Sequence, residues 1–298
     1  MVDEIFTEGC VLEIRLLMRE ELNSALDLVW KVFCEYEASN YTEDARQVFY
    51  DAIHSKEYLD SLTAYGAFHG DEIVGIIAGR NEGSHIALFF VDGEYQKQGI
   101  GRKLWETLLE TSNADIITVH SSIYVCEIYG RLGFKQTDGK MEDGGIVYVP
   151  MEYLHFMDMI QDKNDDAAYA EAKRIAAASE FSDEYCRYIP EFVEMLSHKK
   201  SYMRSRAMIL ICSQARWDES GAIAEYLPQI LKLLHDEKPT VVRQSLNALK
   251  EIAVFRPELC KVIMEELEKI NLSKYRESMA GLIQKDIDEL QDVIRQVV

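Results

Sequence analysis

Between residues 11 and 153 the spacing of apolar positions switches between a period of two and a period near 3.6, whereas beyond residue 166 only the helical spacing remains. A strand is expected over residues 11–17, an amphipathic helix over about 19–37 and a second helix near 43–54. Residues 64–69 and 73–80 flank Gly70-Asp71-Glu72 as an antiparallel hairpin, and the nearly continuous apolar run 85–91 has the composition of a central strand. From Gly99 a helix runs to about Thr111, with Ile100, Leu104, Trp105, Leu108 and Leu109 on one stripe, and residues 115–121 supply the next strand. A short helix at 124–132 leads through Gly133-Phe134 into two last strands, near 135–137 and 145–153. This is the pattern of an α/β domain with a mixed sheet.

The stretch 157–166 holds Asp158, Gln161, Asp162, Lys163, Asn164 and Asp165 and lacks strand character, so it is read as a linker between a domain at 1–156 and an all-α domain at 167–298. Helices are expected at about 167–180, 183–197, 202–216, 222–235, 240–255, 257–270 and 274–298. Tyr188-Ile189-Pro190, Leu196 and Arg204-x-x-Ala207-x-x-Leu210 superimpose on Tyr226-Leu227-Pro228, Leu234 and Arg243-x-x-Leu246-x-x-Leu249 with a period of 38 to 39. A weaker third copy is drawn at Arg276-x-x-Met279-x-x-Leu282. Helix pairs at a period near forty resemble HEAT repeats, residues 236–243 matching that family's turn into its second helix, and such arrays stack into a solenoid.

With 298 residues and 48% hydrophobic content the chain can bury two cores. Asp3, Glu4, Glu8 and Glu13 stand where a signal peptide needs basic and then apolar residues, and the run 86–91 is too short to span a bilayer, so a cytoplasmic protein without membrane contact is expected. The six cysteines, Cys10, Cys34, Cys126, Cys186, Cys212 and Cys260, are scattered without a C-x-x-C pair, as reduced thiols are, and no metal site is expected. Of the net charge of −20, residues 1–155 carry −15 (12 Lys+Arg, 27 Asp+Glu) and the remainder −5. That field disfavours nucleic acid and suits cationic small molecules or basic peptides.

The stretch that carries chemistry is Phe89-Phe90-Val91-Asp92-Gly93-Glu94-Tyr95-Gln96-Lys97-Gln98-Gly99-Ile100-Gly101-Arg102-Lys103: a buried strand, a loop, and a helix that begins at paired glycines. Unsatisfied N–H groups at a helix start, with the positive end of its dipole, bind a pyrophosphate. Glycine at 99 and 101 lets the backbone approach phosphate oxygens closely, Gln96 can add a side-chain donor, and Arg102 or Lys103 can add charge.

Gln96-x-x-Gly99-x-Gly101 after a strand resembles the coenzyme A loop of the GNAT superfamily of N-acetyltransferases, and the later Tyr129-x-x-Leu132-Gly133-Phe134 resembles the family's Tyr-x-x-Leu-Gly-Phe ending. The likeness spans residues 11–153, with Gly93 where proline is common and His120 where asparagine often stands. It implies an α/β GNAT fold with acetyl-CoA as cosubstrate, held by residues 96–103, namely Gln96, Lys97, Gln98, Gly99, Ile100, Gly101, Arg102 and Lys103. It also implies direct attack of an amine on the thioester, with a backbone N–H near Phe90 or Val91 bonding the acetyl oxygen and Tyr129 as general acid, Tyr124 standing second. For the base, Glu82, Asp92 and His120 are candidates, and the alternative for the carboxylates of the first helix, Asp27, Glu35 and Glu37, is to shape an acceptor pocket. The expected partners are acetyl-CoA and a primary amine, with a protein on the helical array and a homodimer both left open. A contact through Tyr153 and Phe156, between domains or between copies, is equally open. The competing reading is an interaction protein whose repeats bind a partner and whose first domain only senses acyl-CoA.

Overall fold

Strands β1 (Leu12–Leu16), β2 (Thr63–His69), β3 (Glu72–Arg80), β4 (His85–Val91), β5 (Ile116–Ser122), β6 (Lys135–Gln136), β7 (Met141–Asp143) and β8 (Ile146–Leu154) form one mixed sheet in the computed structural model, which describes residues 12–298. The order is β1-β2-β3-β4-β5-β8-β6, with β7 paired to β8. Each pair is antiparallel except β4 and β5, which run parallel because helix α4 (Ile100–Thr111) carries the chain across between them. Val11, at the expected start of β1, lies outside the described residues, as does Cys10. The strand β7 is absent from the sequence expectation: all three of its residues are exposed, so no apolar pattern marks it.

One face of the sheet buries Ile77, Ile117 and Val119 beneath Leu104, Trp105 and Leu108 of α4 and Tyr129 of α5 (Cys126–Arg131). The other buries Ile76, Ala78 and Leu88 beneath Ala25, Leu26 and Val29 of α1 (Leu22–Tyr36) and Ile53 of α2 (Glu43–His54). Helix α2 starts where expected because Thr42 Oγ1 accepts the Ala45 N–H at 3.2 Å. A short helix α3 (Lys56–Asp60) comes next, capped by Ser55. Tyr153 faces inward within this unit, 5.1 Å from Trp105 and 5.5 Å from Phe134, so its bulk is spent on the domain's own core.

The chain divides into two compact units after Met157. Helix α6 (His155–Ile160) runs through the first part of the expected linker, and α7 (Asp165–Ala178) begins before its end, which leaves only residues 161–164 outside helices. The polar run that reads as a linker is partly a helix start: Asn164 Oδ1 accepts the Ala167 N–H, and Asp165 and Asp166 fill the first turn. Helices α8 (Ile189–Glu194), α9 (Ser201–Ser213), α10 (Ala222–Leu231), α11 (Pro239–Phe255), α12 (Cys260–Leu267) and α13 (Glu277–Val297) complete the second unit. The expected single helix at 183–197 is broken into turns because Pro190 restarts it.

The repeated arginines each pair with an aspartate, one in a turn and one within a helix. Arg204 bonds the Asp236 carboxylate at 2.7 and 2.9 Å, and Arg243 bonds Asp286 at 2.5 and 3.2 Å, each reaching from one helix pair to the next. The third copy is in a different register: Leu282 is exposed, and the buried row of α13 is Ile283, Ile287, Leu290 and Ile294. No described helix is long and apolar enough to cross a membrane.

Arg206 on α9 is 1% exposed and donates to the carbonyls of Ile160 and Asp165 at 3.1 and 2.9 Å, and to the Asp165 carboxylate. Arg206→Ala would orphan two carbonyls and open a cavity, and is expected to lower stability by about 2 kcal/mol. A fall in the urea midpoint of the second unit's unfolding, with no change for the first, checks this.

Candidate active site

Strands β4 and β5 pair only at His85–Thr118 and Ile86–Val119. Beyond that point β4 stays with β3 and β5 with β8, so the two parallel strands part and each presents an open edge. The cause lies in β4. Ala78 of β3 faces Leu88 while Gly79 faces Ile86, leaving Ala87 as an extra residue, and such a bulge bends its strand and re-aims the residues beyond it.

Alternation along β4 then decides which amides are free. The Asp92 N–H bonds the Val74 carbonyl at 2.9 Å, so the Phe90 N–H, two residues back, also faces β3, and the N–H groups of Phe89 and Val91 face the opening. Of the two expected positions, Val91 therefore has its N–H on the open edge and Phe90 does not, and Phe89 joins it.

At the end of β4 the loop is held from several sides. Asp92 caps the turn by accepting the Glu94 N–H at 3.0 Å and pairs with Lys31 of α1 at 2.7 Å, which holds its carboxyl below the usual carboxylate range. Gly93 lies under the Tyr36 hydroxyl of α1, and a β-carbon there would come within 2.3 Å of that oxygen. Proline, common at this position in the resembled family, would require the exposed Tyr36 side chain to move aside. Gln96 Nε2 donates to the Val91 carbonyl at 3.1 Å and Gln98 Nε2 to the Glu94 carbonyl at 3.0 Å, so both amides brace the loop.

Gly99 has φ 82°, a left-handed conformation that favours glycine, and the space its β-carbon would enter is empty. At Gly101 an added β-carbon would meet Phe89 at an ordinary 3.5 Å, so internal packing does not account for that glycine either. The helix ladder opens with Lys103 N–H to the Gly99 carbonyl at 3.1 Å, leaving the amides of Ile100, Gly101 and Arg102 without an acceptor inside the helix. With Lys97, Arg102 and Lys103 exposed around them, these amides fit a pyrophosphate.

Tyr129 is 7% exposed and meets Phe89 and Phe134 edge-on at ring distances of 6.0 and 5.4 Å. Burial raises its hydroxyl well above an ordinary phenol, and the nearby charges of Glu37 and Cys126 raise it further. Glu37 stands just past the end of α1, half-buried; burial raises its carboxyl, and a hydrogen bond with Ser122 at the end of β5 partly opposes that. The Tyr41 hydroxyl points to the Val147 carbonyl at 3.5 Å, and burial followed by the Glu37 charge raises it, with Ser122 partly opposing. Glu37 and Tyr129 are carried on opposite faces of the sheet and sense each other where β4 and β5 have parted.

The other candidate bases are placed differently. Asp92 is spent on Lys31, and Glu82 sits in a left-handed turn at the opposite end of β4, roughly 20 Å away along the strand. His120 is exposed and stacks on Tyr148 at 4.1 Å. Asp27, Glu35 and Tyr124 are exposed as well. Among the described residues no group of three or more His, Cys, Asp or Glu is arranged to hold a metal ion.

Replacing Asp92 by Asn removes the charge that ties α1 to the loop. Because Lys31 is half exposed, the stability cost is expected to be about 1 kcal/mol, while the dissociation constant for coenzyme A rises roughly 3- to 10-fold. Thermal melting and a coenzyme A titration of the variant check both.

Residues 37–155 match the sequence model of the acetyltransferase (GNAT) domain family. Similar solved structures include a GCN5-related N-acetyltransferase, described also as an aminotransferase of class II, from Rhodopseudomonas palustris (16% identity, 51% of this chain and 99% of its own, TM-score 0.43). Others are the PaiA N-acetyltransferase of Thermoplasma acidophilum in complex with coenzyme A (20% identity, 48% and 99%, TM-score 0.41) and FeeM, an N-acyl amino acid synthase from uncultured soil microbes (18% identity, 49% and 92%, TM-score 0.39). No curated protein matches the chain. The sheet of the first unit, with its parted β4 and β5 and the helix that starts at Gly99, thus belongs to an acetyltransferase domain of the GNAT family, which this chain carries ahead of its helical second unit.

Proposed function

We propose that the chain is an acetyl-CoA-dependent N-acetyltransferase that acylates a primary amine by direct attack. The observation that carries this reading is the open edge of β4 together with the braced loop that leads from it to the glycine start of α4. In this reading the amides of residues 100–102, with Lys97, Arg102 and Lys103, hold the pyrophosphate, and the Val91 N–H pairs with the pantetheine arm. The Phe89 N–H then bonds the thioester oxygen and stabilises the negative charge that develops on it during attack.

Two proton movements remain. The amine must lose a proton, and Glu37, half-buried beside Ser122 with its carboxyl raised toward neutrality, is the acceptor. The departing thiolate must gain one, and Tyr129, whose buried hydroxyl keeps its proton at neutral pH, is the donor. A negative Glu37 would also attract the ammonium form, consistent with the acidity of this half of the chain. For residues 167–298 we propose a HEAT-like array that docks a protein partner, supported by the sequence repeat of period 38 to 39 and the succession of helices α7 to α13.

Tyr129→Phe is expected to bind acetyl-CoA as the parent does and to lose turnover by about 100-fold. Full turnover by that variant would remove Tyr129 from the mechanism. Since Glu37 must be ionised to act and its pKa is raised, kcat/KM should rise with pH through a limb above the usual carboxylate range. In Glu37→Gln that limb should vanish, and a pH profile that keeps it would assign the base elsewhere.

A further inference from the structure

The face of the sheet that carries α1 and α2 also bears a row of side chains with no part in the proton transfers above. Arg80 ends β3 in register with His85 of β4. The extra residue at Ala87 reverses the alternation of β4 and puts His85 on this face, its Nδ1 2.9 Å from Thr118 Oγ1 on β5. His120, two residues along β5, stands 5.0 Å from the His85 ring and stacks on Tyr148 of β8. The row therefore crosses four strands and lies at the apex of the opening between β4 and β5.

Arg80 is the unusual member. In a stretch with 27 acidic and 12 basic residues it has no hydrogen-bond or ion-pair partner among the described residues, and its Nε is buried without an acceptor. Its guanidinium lies over the Tyr58 ring at 5.3 Å, while the Tyr58 hydroxyl is turned to the Ala87 carbonyl at 3.2 Å. A guanidinium half-withdrawn from water without a carboxylate is costly unless a ligand supplies the missing acceptor. Its neighbours are the rings of His85 and His120. Burial and then the adjacent His120 and Arg80 push His85 down to about 4; burial and then Arg80 lower His120, against the opposing charge of Asp143 at the exposed rim. An anion beside Arg80 would offset that positive charge and favour the protonated, donating form of both rings.

We propose that Arg80, His85 and His120 form an anion subsite of the acceptor pocket, so that the acceptor is a primary amine which also carries a carboxylate or phosphate several bonds from its nitrogen. This rests on the N-acetyltransferase reading above and narrows its substrate class. The spacing sets the length: from Thr118, beside His85, to Ser122, beside Glu37, the strand covers roughly 13 Å. An amine at the Glu37 end and an oxyanion at the Arg80 end are therefore joined by a chain, as in an ω-amino acid, and not by the single carbon of an α-amino acid.

The test compares acceptors of matched length, ω-aminohexanoate, aminopentyl phosphate, hexylamine and diaminohexane, with the full chain and acetyl-CoA. The anionic amines should exceed hexylamine in kcat/KM by about 10-fold or more, and the better of the two identifies the oxyanion. In Arg80→Met that ratio should collapse to about one; His120→Gln, at an exposed position, should lower it several-fold and serves if the first variant does not fold. Equal kcat/KM for hexylamine and the anionic amines, or an unchanged ratio in Arg80→Met, would overturn the subsite while leaving N-acetyl transfer in place. Should no amine be acetylated although acetyl-CoA binds, the transferase reading fails. Calorimetry of ω-aminohexanoate with the coenzyme A complex then decides the subsite separately: binding lost in Arg80→Met supports it, and no binding contradicts it.

Discussion

Two residue pairs hold β4 to β5 before the bulge at Ala87 turns β4 away, and the candidate site of the first unit depends on that parting. A parallel pair that ran on to Val91 would have its amides spent within the sheet, and the groups carried on opposite faces, Glu37 and Tyr129, would be insulated from one another. Because the strands part, the edge amides of Phe89 and Val91 need acceptors from outside the sheet. The same bulge reverses the alternation upstream in β4, which sets His85 beside Thr118 on the face that Arg80 of β3 shares, opposite Tyr129.

The loop beyond β4 is as constrained as the strand. Helix α1 reaches it twice, through the Lys31–Asp92 ion pair and through Tyr36 against Gly93, while the side chains of Gln96 and Gln98 bond backbone carbonyls within it. The helix that leads into Glu37 therefore also fixes the loop that would cradle the pyrophosphate. Displacement of α1 by an acceptor would be felt at the cofactor end, a coupling carried by two named contacts. Pre-set geometry of this kind is what electrostatic stabilisation of a developing oxyanion requires.

Much of this was legible in the sequence where the signal is local. The apolar stripe of α4, its Gly99 start and the helix near 43–54 each arise from spacing and residue type, and the structure has them at those positions. What was not legible depends on partners distant in the chain. Glu37 reads as an ordinary carboxylate at a helix end until burial and Ser122, 85 positions later, change its proton affinity. Asp92 reads as a free base until Lys31 claims it. Gln96 reads as a phosphate donor, yet its amide is bonded to Val91. The place of His85 turns on a one-residue bulge that no periodicity announces, and β7 has no apolar position to betray it. In the second unit Arg204 and Arg243 were visible as a repeated position but their aspartate partners were not, and the third copy is out of register because α13 buries a different row.

The central claim is that the Gly99 helix start and the open edge of β4 together receive acetyl-CoA. Calorimetric titration of the full chain with acetyl-CoA, beside a Gly99→Glu variant whose carboxylate would project into the empty space at the helix start, addresses it most directly. One-site binding by the parent, abolished in the variant while its melting temperature shows that it remains folded, is the predicted result. No binding by the parent, or binding untouched by Gly99→Glu, would contradict the claim.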